Sequence, residues 1–119
     1  MEFVDLEPDD KRLADAFLVL VQLRPHLDLD LFGSIYKAGY SQGLRFTALF
    51  DDDLVDANNG GVDRKRNEGR CVAVAGWRII DSTNVIRKLY VDDLVTDSNY
   101  QSKGYGAALL SEIETRALS

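Results

Sequence analysis

One cysteine, one histidine, one tryptophan, one methionine and two prolines are all that the 119 residues hold of those types. A lone Cys71 excludes an internal disulfide framework and a cysteine-only zinc site. A lone His26 makes histidine-rich metal centres and histidine–serine triads poor starting points. Positive charge is also scarce, with 14 Lys and Arg against 20 Asp and Glu and a formal net charge of -6. Proteins that grip nucleic-acid backbones usually carry basic faces, so that class is disfavoured. A local anion site built from backbone amides stays open. No run approaches the ~20 apolar residues of a membrane span, and the start Met1-Glu2-Phe3-Val4-Asp5 lacks the basic, then apolar, pattern of a secretory signal. The expectation is a cytoplasmic protein with no nucleic acid, membrane or metal among its partners.

What is present is an ordinary globular composition, 45% hydrophobic and 29% charged, on a length that fits one domain, 1–119. A chain of this size buries roughly two thirds of its unfolded surface, enough for one core. Residues 2–6 read as a strand, and Pro8-Asp9-Asp10 as a helix start with acids at the positive end of the dipole. Leu13, Ala16, Phe17, Leu20 and Val21 keep helical spacing, and Pro25 should stop that helix at Arg24. Asp28 can cap a second helix carrying Leu31, Phe32, Ile35, Tyr36 and Gly39 on one face, with Gly43 ending it. Residues 44–50 alternate as a strand.

Residues 51–69 combine three aspartates, Asn58-Asn59-Gly60-Gly61 and a short basic cluster flanked by acids, which reads as a solvated hairpin loop. The ordered acidic spacing of a calcium loop is absent. Residues 70–80 form an apolar strand, 81–84 a turn, 85–96 a further strand and 105–118 a final helix with Leu109, Leu110, Ile113 and Ala117 inward. Cys71, on the strand at 70–80, reads as a small core residue. The order of strand, two helices, three strands and helix predicts an α/β, or α+β, sandwich with helices on a mainly antiparallel sheet.

The chemistry concentrates after the strand at 85–96, where a polar loop leads to Gln101-Ser102-Lys103-Gly104-Tyr105-Gly106-Ala107 and a helix. First-turn N–H groups lack intrahelical partners and lie at the positive end of the dipole, which suits an anion. Glycines let phosphates approach the backbone. A P-loop is excluded, because its two glycines five positions apart and following Lys-Ser or Lys-Thr are missing. The dinucleotide fingerprint is excluded too, because Leu109 stands where its third glycine belongs.

The remaining pattern, Gln101-x-x-Gly104-x-Gly106 after a strand with Leu94-Val95-Thr96, resembles the acetyl-CoA motif of the GNAT superfamily of N-acetyltransferases. The resemblance implies acetyl-CoA as cosubstrate. Its pyrophosphate would lie on the backbone of Gln101, Ser102, Lys103, Gly104, Tyr105 and Gly106, and its pantetheine arm beside Leu94, Val95 and Thr96. A primary amine would attack the thioester directly, without a cysteine nucleophile. Lys103 could add charge to the phosphates or simply be solvated. Asp92 and Asp93 resemble the acidic pair of diamine acetyltransferases and could deprotonate or bind the amine, or tie down the loop. Adjacent strand residues face opposite ways unless a bulge intervenes. The acids at 51–53 and 92–93 would favour a cationic acceptor.

The family fold ordinarily continues with a fifth strand, another helix and a further strand, which these residues lack, along with the usual general acid. The expectation is therefore a truncated GNAT-like domain. The alternative to an active enzyme is a degenerate CoA-binding or oligomerising module. Because the strand at 85–96 is central in the family fold, one edge would be open here, predicting a homo-oligomer that covers it.

Overall fold

The computed structural model describes residues 1–51, 69–81, 83 and 87–117. Its elements run β1 (Glu2–Leu6), α1 (Leu13–Leu20), α2 (Leu29–Tyr40), β2 (Arg45–Asp51), β3 (Arg70–Ile80), β4 (Lys88–Thr96), a 3-10 turn (Ser98–Tyr100) and α3 (Tyr105–Ala117). The expected order holds, and the four strands form one antiparallel sheet in the order β1-β2-β3-β4.

The helices divide between the two faces of the sheet. On one face α1 and α2 cover Val4, Leu6, Phe46, Ala48, Phe50 and Val74. There Phe32 stacks on Phe17 at 5.7 Å and meets Phe46 edge-on at 5.1 Å, geometries that aromatic quadrupoles favour. The opposite face is closed by α3, whose Leu109 and Ile113 bury against Leu49, Val72, Ala73 and Ala75. Both faces of β2 and of the first part of β3 are thus covered: residues 71–76 are buried on both sides as the apolar composition predicts, whereas residues 77–80 are only partly covered and Arg78 is exposed.

Tyr36 links three elements. Its hydroxyl donates to the Leu6 carbonyl at 2.5 Å and accepts from the Phe46 amide at 3.0 Å. The side chain is fully buried, and burial pushes its phenol up to about 12.

Several boundaries differ from the sequence reading. The first helix begins at Leu13 rather than at residues 8–10, because Asp10 turns inward on itself. Its carboxylate accepts from the Arg12 amide at 2.8 Å and pairs with the Arg12 guanidinium, so residues 7–13 make successive turns. That pairing holds the Asp10 carboxyl below its ordinary value. The helix ends at Leu20, and residues 21–23 follow as turns rather than helix. Asp28 does cap α2, accepting from the Leu31 amide at 2.8 Å, and Gly43 adopts the expected positive φ of 103°.

On α2, only Phe32 and Tyr36 are buried, while Leu31 and Ile35 are exposed. β4 begins at Lys88, later than residue 85, and residues 84–86 lie outside those described. Among the described residues it is an edge strand of the sheet, as β1 is at the other side, with Tyr90, Val91 and Leu94 exposed. Residues 52–68 of the expected hairpin loop also lie outside the described residues. Asp51 is the last residue of β2 and is buried.

Candidate functional site

Opposite β4, the ladder breaks register between Gly76 and Trp77. Gly76 pairs with Asp93 and Trp77 with Val91, leaving Asp92 as the extra residue of a bulge. This intervening bulge resolves the orientation of the acidic pair, since Asp92 and Asp93 both line one cleft on the α1/α2 face. The cleft has a volume of about 410 Å³, with Leu20, Leu27, Phe32, Ile35, Leu44 and Phe46 among its apolar walls. Ile35, exposed on α2, is accounted for here.

Gly76 makes this geometry possible. A Cβ at that position would stand 2.7 Å from the Phe46 ring and 3.4 Å from Asp93 Oδ2. Only a residue without a side chain lets the ring cross β3 beside the bulge.

Each carboxylate has an arginine. Arg24, just beyond α1, donates through Nε to Asp93 Oδ1 at 2.7 Å. Arg78 on β3 grips both oxygens of Asp92, at 3.2 Å through Nη2 and 3.1 Å through Nε. The arginine side chains are 44% and 47% exposed, against 15% and 35% for Asp93 and Asp92, so the guanidinium groups form the wetter rim. The acids are therefore not a bare negative patch. The part of the preference for a cationic acceptor that rested on residues 92–93 loses its support, while residues 52–53 lie outside the described residues. His26 also borders the cleft, in the connection between the helices.

At the far end of β4, the Asp97 amide donates to the Val72 carbonyl at 2.8 Å, continuing the β3 side of the ladder beyond Thr96. Asp97 is buried and accepts from the Asn99 amide at 2.9 Å, which shapes the 3-10 turn. The loop then alternates its backbone. Gln101 is extended, Ser102 has φ 70° and Gly104 has φ 82°. Alternation of this kind is how backbone amides form anion-binding concavities.

Among the described residues a Cβ on Gly104 would meet nothing within 4 Å, so the space over it is open, whereas one on Gly106 would stand 3.1 Å from Thr96 Oγ1. Gly106 thus lets the start of α3 approach the end of β4. The Tyr105 hydroxyl donates to Asp51 Oδ2 at 2.6 Å and anchors the loop to the end of β2. Gln101, Ser102 and Lys103 are exposed, as are the sides of Gly104. Leu94, Val95 and Thr96 lie on the strand leading to this loop, between it and the bulge.

Sequence reasoning picked out the acids and the loop but missed the roles of Arg24, Arg78 and Gly76 and the bond that ties Asp51 to Tyr105. The arginines are 69 and 14 residues from their partners, and Asp51 is 54 from Tyr105. Gly76, a glycine inside an apolar strand pattern, was the one local signal for a bulge. Cys71 is buried and its thiol is pushed up to about 12 by burial, as fits a core residue. Among the described residues no cluster of metal-binding side chains occurs, and no helix is long and apolar enough to cross a membrane.

The four-stranded antiparallel sheet with its three helices matches the folds of solved acetyltransferases. An acetyltransferase from Trypanosoma brucei matches with a TM-score of 0.68 at 19% identity, covering 97% of this chain and 72% of that one. A GNAT family acetyltransferase from Staphylococcus aureus matches with a TM-score of 0.65 at 14% identity, covering 98% and 78%. A search of curated proteins finds no match. The model of the acetyltransferase (GNAT) family matches residues 28–119, and the chain belongs to that family.

Proposed function

We propose that this chain transfers an acetyl group from acetyl-CoA to a primary amine by direct attack. The observation that carries the reading is the pairing, along one strand, of an open glycine loop at a helix N-terminus with a bulge that turns two carboxylates into one cleft. Residues 101–106 would receive the pyrophosphate on backbone amides, with the α3 dipole adding favourable potential. Leu94, Val95 and Thr96 would offer their outer edge to the pantetheine arm.

The amine nitrogen, delivered through the cleft, attacks the thioester carbonyl carbon. The C–S bond breaks, CoA departs as a thiolate that takes a proton from solvent, and an amide forms. The proton shed by the amine passes to Asp92 or Asp93, directly or through water, the step in which a positioned base contributes. The test is thiol release from acetyl-CoA with an amine panel, on the wild-type chain and on Asp92→Asn and Asp93→Asn. Activity retained in both variants would reduce the acids to pins that hold Arg24 and Arg78.

A non-catalytic CoA-binding module is the second reading, and the ion pairs that already occupy both acids favour it. Thiol release separates the two. The cytoplasm is the compartment this reading assigns. The outer edge of β4, with Tyr90, Val91 and Leu94 exposed, is proposed as the seam where a second copy pairs.

A further inference from the structure

Resting on the acetyl-transfer reading, we propose that the acceptor is a small amino acid with an apolar side chain, whose carboxylate is held by Arg24 and Arg78. The cleft has two unlike halves. Leu20, Leu27, Ile35, Leu44 and Phe46 make one wall, suited to a hydrocarbon group. The other is the pair of arginine–aspartate contacts at the bulge. Its two guanidinium groups balance its two carboxylates, so the lining offers no net attraction to a polyamine.

A guanidinium has five donors in a fixed fork. Arg78 directs Nε and Nη2 at Asp92, and Arg24 directs Nε at Asp93 and Nη2 at the Asp92 carbonyl and Asp93. Among the described residues, the Nη1 edge of each is left for an incoming anion. Both side chains are nearly half exposed, while the acids behind them are more covered. An anion can therefore reach the arginines without displacing the aspartates. Planar carboxylate recognition is the task that arginine geometry suits. A volume of about 410 Å³ falls within the range of small-ligand sites. An acceptor seated this way brings its amine to the carboxylates while its carboxylate meets the guanidinium rim.

The test compares leucine, leucinamide and spermidine by amide NMR titration of the CoA-saturated chain, with thiol release measured in parallel. Leucine should bind about ten-fold or more tightly than leucinamide, since a site built for a charged partner discriminates against its neutral isostere. Shifts should centre on residues 24, 78, 92 and 93. Arg78→Gln and, independently, Arg24→Gln should bring the leucine-to-leucinamide ratio towards one while acetyl-CoA still raises the melting temperature. Equal affinity for leucine and leucinamide in the wild type, or tighter binding of spermidine, overturns the inference. Absence of an acetyl-CoA thermal shift in the wild type would instead overturn the acetyl-transfer reading. The same leucine titration on the unliganded chain then decides the acceptor class by itself.

Discussion

The two faces of the sheet are built from different materials. Under α1 and α2 the packing is aromatic, with Phe17, Phe32, Tyr36 and Phe46 in mutual contact, and it leaves a cleft where the bulge opens. Under α3 the residues are smaller, Ala73 and Ala75 among them, and the helix start lies close to β4 through Gly106. That side also carries a polar chain. Trp77 Nε1 donates to Thr47 Oγ1 at 2.9 Å, Thr47 donates to Asp5 at 2.9 Å, and Arg116 from α3 pairs with Asp5. Large rings leave gaps where they fail to meet, while small residues permit close approach of backbone. One face is thus suited to admitting a small molecule, and the other to holding a loop in a set position.

The largest expected effect is on the aromatic side. Phe32→Ala should cost about 3–5 kcal/mol, as truncation of a buried phenylalanine typically does, a large share of the stability of a domain this size. Urea unfolding measures it, and a loss below about 1 kcal/mol would show that the aromatic face is not the main support. Gly76→Ala should cost about 1–3 kcal/mol by overpacking against the Phe46 ring. It should also disturb the Asp93 position and so weaken leucine binding, whereas the acetyl-CoA shift should persist.

Tyr36→Phe leaves the buried Leu6 carbonyl and Phe46 amide without their shared hydroxyl, at a cost of about 1–3 kcal/mol. The same residue predicts a pH dependence. Burial raises the folded phenol from 10.0 to about 12, so its contribution is complete below pH 10 and is lost as pH climbs towards 12. Cys71, raised from 9.0 to about 12, acts with the same sign from pH 9 upward. Urea midpoints between pH 8 and pH 11 should fall, and Tyr36→Phe with Cys71→Ala should flatten that slope. The smallest effect concerns assembly. Light scattering should find a dimer that dissociates on substitution of Val91 by lysine, and a stable wild-type monomer would leave the β4 edge unpaired.

Much of this contrast was legible in the residues. Periodicity placed the helices and strands in order, Asp28 announced a cap, and the glycines marked the loop that leads into α3. Local signals erred where a side-chain pairing or the packing of the folded chain overrode the pattern. Pro8-Asp9-Asp10 has the composition of a helix start, yet Asp10 binds Arg12 and makes turns. Leu31 and Ile35 keep the spacing of a buried stripe, yet both are exposed, Ile35 at the wall of the cleft. The bulge at Asp92 has no mark in β4 itself, since the glycine that permits it lies on the neighbouring strand. Ion pairs such as Arg24 with Asp93 come from the fold and have no periodic trace.

The central claim is that the loop under α3 binds acetyl-CoA while the opposite cleft takes the acceptor. Its most direct test is the acetyl-CoA thermal shift of the wild type beside Gly104→Val. Saturation at 100 times the dissociation constant should stabilise the wild type by about 2.7 kcal/mol. The folded variant, with a β-branched residue at φ 82° and its side chain in the open space over the loop, should show no shift. An equal shift in both proteins would contradict the account.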